Sequence, residues 1–351
     1  MNRDSLRVAV VVPLRGPSAI YGPSCVLCAR LAAEELNAGR GVLGRQVELR
    51  IVDGGGPPRQ VAAEIDRLVV AGEVDAVVGW HLSVVRQHLT RATEGRVPYV
   101  YTALYEGGET TPGVFAIGET PAIQLLPALD WMTGEIDVRR WFVVGDDYVW
   151  PRRSTALVRR FLDDRRGLGV DGERFVALGT SDYGEVLREI ESSGCDGVLL
   201  FLVGDDAVHF HRQFAARGLE DQCARFSTLM DESMLRAIGS PATRDVFASA
   251  GYFEALPTAE SLRFGARYVG RFGPEAPAPG APGESCYEGV RMLAALVEET
   301  GTCDVGALCA TAEAFTYHGP RGTVAVERSR ARQRIYLATT DGTDYDVLAA
   351  L

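Results

Sequence analysis

At 351 residues the chain is longer than one hydrophobic core ordinarily supports, so two lobes are expected. Its 46% hydrophobic and 24% charged residues exclude a disordered or membrane-embedded protein, and a net charge of −11 with no long basic run leaves little electrostatic footprint for nucleic acid. Lysine is absent, all 36 basic residues being arginine, which rules out a lysine Schiff base and a Walker-type phosphate loop.

The stretch from Met1 to Arg7 is too short and wrongly bounded for a signal peptide, and the first predicted strand, Val8 to Val12, begins almost at once. No later segment is apolar for long enough to span a membrane. The expectation is a cytoplasmic protein, or a periplasmic or extracellular one if a leader has been removed. A first helix carries Val26, Ala29, Ala32, Ala33 and Leu36 at helical spacing, together with the pair Cys25 and Cys28. That Cys-x-x-Cys is read as small buried residues rather than a redox or metal pair, because no second pair matches it. Seven cysteines, an odd number, give no disulfide framework.

Further strands are predicted at Val47 to Val52, Ala76 to Val78, Tyr99 to Tyr101, Val114 to Ile117, Trp141 to Val144, Phe175 to Leu178, Gly197 to Leu202, Arg225 to Thr228 and Val246 to Ala248. Amphipathic stretches lie between them, such as the one holding Ile65, Leu68 and Val69. Alternating strands and helices imply βαβ units and parallel sheets in an α/β fold. Gly54 to Pro58 and Gly273 to Gly280 are read as exposed loops.

Val10-Val11-Val12-Pro13-Leu14-Arg15-Gly16-Pro17, followed by Tyr21-Gly22 and by Ala33 to Arg45, resembles the opening of type I periplasmic binding proteins, the receptors for branched-chain amino acids, amides and urea. Gly79 to Ser83, Tyr105 to Gly107, Gly145 to Arg152 and Gly319 to Val324 are most similar to the cytoplasmic amide sensor of aliphatic amidase operons. The resemblance covers essentially the whole chain. It implies two Rossmann-like lobes joined by a three-crossover hinge, with residues 1–120 and 251–326 in lobe 1 and residues 121–250 and 327–351 in lobe 2. It also implies a ligand between the lobes and closure around it.

Carried over residue by residue, the resemblance puts Ser83 where a hydroxyl and a backbone amide meet the ligand at a helix N-terminus. A plain N-cap serine is the other reading. His81 replaces the sensor's aromatic hydroxyl and offers a titratable donor or acceptor. Tyr101 and Thr102 end a strand and face the ligand, or are simply a strand-end hydroxyl pair. Tyr105 is carried over as a ligand contact from the stretch Tyr105 to Gly107 that resembles the amide sensor. Tyr148 and Trp150 match an aromatic pair walling the ligand, the alternative being core packing. Asp205 and Asp206 follow an apolar strand, where one pairs with an ammonium or both open a helix. Met230-Asp231-Glu232 and Tyr252-Phe253-Glu254 fall where relatives contact ligand or hinge. His81, Glu106, Asp147, Asp205 or Asp206, and Asp231 together make a site more acidic than a neutral amide needs, which favours a cationic or amine-bearing ligand.

The resulting expectation is a cytoplasmic receptor or sensor for a small polar ligand: an amide, urea, amino acid or amine. Its alternatives are the substrate-binding component of an ABC transporter and a binding-protein fold recruited as an enzyme. No nucleophile elbow, metal motif or dinucleotide fingerprint is present, and His209 and His211 point apart at i,i+2 spacing, so no cofactor and no metal are expected. A sensor would need a regulatory protein partner, as the amide sensor has an RNA-binding antiterminator, and a homodimer is an option.

Overall fold

The run Val8 to Val12 is apolar, largely β-branched and buried on both faces, as a central parallel strand must be. It forms β1 (Ser5–Val12), followed by α1 (Gly22–Ala38), β2 (Gln46–Asp53), α2 (Pro58–Val70), β3 (Ala76–Gly79), α3 (Ser83–Thr93), β4 (Tyr99–Tyr101) and β5 (Val114–Ala116). The chain continues through α4 (Pro121–Ile136), β6 (Arg140–Asp146), α5 (Val149–Asp163), β7 (Gly169–Val176), α6 (Gly184–Ser193), β8 (Gly197–Phe201), α7 (Asp205–Ala216), β9 (Ala224–Ser227), α8 (Glu232–Ile238) and β10 (Val246–Ala250). It ends with α9 (Ala259–Phe272), α10 (Ala281–Thr300), α11 (Val305–Thr311), β11 (Phe315–Gly319), β12 (Gly322–Glu327), β13 (Arg330–Arg332), β14 (Tyr336–Asp341) and β15 (Asp344–Ala350). The computed structural model describes residues 5–327 and 329–351.

Two α/β units result. Unit 1 comprises Met1–Leu104, Gly108–Gly118 and Leu256–Gln333, and unit 2 comprises Tyr105–Gly107, Glu119–Ala255 and Arg334–Leu351. The unit 1 sheet has the order β11-β12-β13-β5-β4-β3-β1-β2, parallel from β13 to β2 and antiparallel from β11 to β13. The unit 2 sheet has the order β15-β14-β10-β9-β8-β6-β7, parallel from β10 to β7 with an antiparallel pair at its other edge.

In unit 1, α1 lies against α10, whose Cys286, Val290, Leu293 and Val297 recur at helical spacing and are buried. Each such side chain contributes about 1.5–3 kcal/mol by leaving water. The helices meet so closely that a Cβ on Gly283 would stand 3.0 Å from Ser24 Cβ and 3.1 Å from Cys28 Sγ. Cys25 and Cys28 are buried on α1, and burial pushes the Cys28 thiol up, which keeps it protonated and unreactive. Arg321 is buried with Glu284, 3.3 Å away, and with Glu288, to which its Nε donates at 2.7 Å. Tyr317 Oη donates to the same Glu288 carboxylate at 2.8 Å. This charge cluster ties α10 to the β11–β12 hairpin.

Two expectations need correction. The seventh strand is Gly169–Val176, not Phe175 to Leu178. It is an edge strand of mixed exposure, so no apolar run marks its start. The five strands after residue 314 were not expected at all, because short hairpins such as β11–β12 alternate single buried residues with exposed ones.

Candidate ligand-binding residues

Parallel pairing aligns the carboxyl ends of β1, β3 and β4 along one edge of the unit 1 sheet, where open α/β sheets bind ligands. The segment leaving β3 is Trp80 to Leu82, ahead of α3. Leu82 is extended, with φ −60° and ψ 147°, and is the residue that precedes the helix. Ser83 is therefore the first helical residue rather than the N-cap, and its buried hydroxyl has no hydrogen-bond partner. A buried hydroxyl left unpaired costs about 1–3 kcal/mol. The first-turn amides of a helix also lack partners within the helix, so Ser83 sits with a group of donors suited to a carbonyl or carboxylate.

His81 lies in the interior of unit 1. Its Nδ1 is 3.2 Å from the Leu82 carbonyl, and Tyr99 Oη donates to its Nε2 at 2.9 Å. Burial pushes its pKa down to about 3, and Arg86 adds to the effect. The expected titratable group is thus a neutral histidine fixed by its neighbours. Tyr101 Oη donates to the His81 carbonyl at 2.7 Å, and Thr102 Oγ1 donates to the Gly79 carbonyl at 3.2 Å. These two hydroxyls hold the β3 and β4 ends together. Beneath them the buried Arg86–Glu109 ion pair, which the sequence did not suggest, places its guanidinium 5.5 Å from the centre of the Tyr101 ring.

In unit 2, Tyr148 caps the start of α5 and Trp150 lies in its first turn, ring centres 6.1 Å apart. Trp150 is buried edge-on against Phe201 at 5.4 Å, so it packs into the unit 2 core, while Tyr148 is half-buried. Asp147 is exposed and paired with Arg152 at 2.8 Å. Asp205 is exposed at the start of α7, whereas Asp206 is buried and accepts the Gly179 amide at 2.7 Å. Tyr105 and Tyr252 are buried in the same unit.

Asp206 has an unexpected partner. Asp146, the last residue of β6, is buried and accepts the Val203 amide at 2.9 Å through Oδ2. Its Oδ1 is buried without a hydrogen-bond partner, and the buried Asp206 carboxyl lies close enough to act on its charge. Burial first, and then the Asp206 charge, raise Asp146 to about 9. The apolar strand ending in Gly-Asp-Asp was visible in the sequence; which aspartate faces inward was not.

The end of β9 holds a second group. Asp231 caps α8 by accepting the Met234 amide at 3.0 Å through Oδ1, and its Oδ2 is buried without a partner. Glu232 Oε1 accepts the Glu254 amide at 2.7 Å, leaving Oε2 in the same state. The Ser227 and Thr228 hydroxyls, which the sequence reading passed over, are also buried and unpartnered. Burial raises Asp231 to about 6 and Glu232 to about 8, the latter helped by the Asp231 charge. A bound cation would reverse both shifts and satisfy both free oxygens.

The periplasmic binding protein family model matches residues 5–344. The chain belongs to that family. It is 24% identical, over 98% of this chain and 90% of the relative, to the Leu/Ile/Val-binding protein homolog 6 of Brucella suis. Among solved structures it resembles the ABC transporter solute binding protein of Rhodopseudomonas palustris BisB5 in complex with 3,4-dihydroxybenzoic acid, with a TM-score of 0.89, 22% identity and coverage of 99% and 98% of the two chains. It also resembles the branched-chain amino acid transporter substrate binding protein LivJ of Streptococcus pneumoniae in complex with isoleucine, with a TM-score of 0.85, 17% identity and the same coverage. The two α/β units are thus the fold of a solute-binding receptor of the type I class. Among the described residues no group of three or more His, Cys, Asp or Glu could hold a metal ion, and no helix is long and apolar enough to cross a membrane.

Proposed function

We propose that the chain is a solute receptor of the ABC transporter type whose ligand is a small amine-bearing polar molecule, an amino acid being the first class to test. The family match over residues 5–344, with relatives named as Leu/Ile/Val-binding proteins, carries the receptor reading. The unpartnered buried atoms support the ligand class. Ser83 offers a donor to a carboxylate or carbonyl, and the free oxygens of Asp231 and Glu232 suit an ammonium. Tyr148 and Asp205 stand at the strand ends of unit 2 as secondary contacts. A cytoplasmic amide sensor with a regulatory protein partner is the second reading, supported by the resemblance at residues 79–83, 145–152 and 319–324. It differs by requiring that ligand change the affinity for that partner.

A thermal-shift panel of amino acids, amines, amides, ureas and hydroxybenzoates tests the proposal. One-site binding at about 100 times Kd adds about 2.7 kcal/mol to the native state. The expected result is a saturable shift with an amino acid or amine, lost in Ser83→Ala and in Asp231→Asn. A shift with neutral amides or benzoates alone would overturn the amine, and consumption of a metabolite without any shift would replace the receptor by an enzyme.

A further inference from the structure

The β11–β12 hairpin turns through Pro320 and Arg321, with Gly319 and Gly322 paired across it, and the turn is fastened onto α10. A Cβ on Gly319 would stand 2.2 Å from Glu288 Oε1, and Arg321 reaches inward, its Nε donating to Glu288 Oε2 at 2.7 Å. Outside this junction, with α9 as a further wall, lies a cavity of about 470 Å³ within unit 1. Small-molecule sites span about 300–1,000 Å³.

The cavity is separate from the strand ends that carry Ser83 and Thr102. α10 turns Gly289 toward β3 and β4, where a Cβ would stand 2.5 Å from Thr102 Cγ2 and 2.8 Å from Val78 Cγ1. Tyr287 and Arg291, each two residues from Gly289, are about 200° around the helix from it and line the cavity instead.

Its walls bring together Arg263 and Arg267, at i,i+4 on α9, with Arg291 of α10 and His318 of β11, against the carboxylates of Glu35 and Glu260. Glu35 is already engaged: Oε1 accepts Arg267 Nε at 2.7 Å, and Oε2 accepts Tyr287 Oη at 2.5 Å. Arg267 Nη2 closes this triad by donating to Tyr287 Oη at 3.2 Å. Glu260 stands 3.9 Å from Arg263, too far for a hydrogen bond. Arg291 has no carboxylate within ion-pair distance among the described residues. A chain of net charge −11 therefore presents, around one cavity, two guanidinium groups whose donors no carboxylate takes up.

We propose that this cavity binds a polyvalent oxyanion, the head group of a phosphorylated or polycarboxylate small molecule, held chiefly by Arg291 and Arg263. A guanidinium suits either head group because its planar fork presents parallel N–H donors to two oxygens. The Glu35–Arg267–Tyr287 triad and the Arg321 clamp fix the walls beforehand, so little ordering accompanies binding. The receptor would thus carry a second solute site, independent of its amine site.

Calorimetric titration of the full chain with sodium pyrophosphate, inorganic phosphate and citrate, each against sodium chloride of matched ionic strength, tests this. The expected result is one saturable site per chain that chloride does not reproduce. Tighter pyrophosphate would assign a phosphorylated ligand, and tighter citrate a polycarboxylate. Arg291→Gln should weaken binding at least about tenfold, as the loss of a charge-assisted hydrogen bond does, and Arg263→Gln should act in the same direction. No saturable heat beyond that of chloride would overturn the site, as would binding that survives both arginine substitutions. Binding abolished by Ser83→Ala would place the anion at the strand ends and overturn it equally.

Discussion

Asp146→Asn should make the protein more stable at pH 8 while leaving it little changed or weaker near pH 4. Asp146 has a folded pKa of about 9 against an ordinary value of 3.8. A group raised in this way contributes stability that is complete below the unfolded value and is lost as pH rises toward the folded one. Holding a proton at pH 7 on a group that releases it near pH 4 when unfolded costs up to about 4 kcal/mol, at about 1.36 kcal/mol per pH unit. Asparagine removes this cost yet keeps a carbonyl oxygen for the Val203 amide. Urea unfolding of both proteins at pH 5, 6, 7 and 8 is the assay. The wild type should lose stability across this range, and the variant should lose less, by up to about 1.4 kcal/mol per pH unit. Parallel curves for the two proteins would refute the raised Asp146 pKa.

Asp231, at about 6, and Glu232, at about 8, titrate with the same sign, so Glu232→Gln should also flatten the decline between pH 5 and 8, as a smaller effect in the same titration. Ser83→Ala removes an unpaired buried hydroxyl and should leave the ligand-free melting temperature equal or higher, while abolishing the ligand-induced shift. Arg321→Ala strands the buried carboxylates Glu284 and Glu288 and should cost about 3–5 kcal/mol by urea denaturation. Gly118→Ala would bring a Cβ to 2.0 Å from the Ala103 carbonyl oxygen, so a sharp fall in soluble yield and melting temperature is expected.

Period and apolar run length made nine of the first ten strands and the α/β class legible, because a central parallel strand must bury both faces and therefore announces itself as Val10-Val11-Val12 or Leu199-Leu200-Phe201 do. Edge strand β7 and the hairpins after residue 314 escaped, since an element exposed on one side has no such run. The sequence likewise determined that Ser83, Asp206 and Asp231 follow apolar strands. Only the tertiary structure decided what they meet. Whether an aspartate pairs with an arginine, as Asp147 does, or is buried beside another carboxyl that raises it, as Asp146 is, depends on groups up to 60 residues distant. His81 shows the same dependence: an imidazole is titratable by its own chemistry, and it is Tyr99 and the burial around it that hold it neutral. Desolvation and partner choice belong to the assembled fold, so no local pattern encodes them.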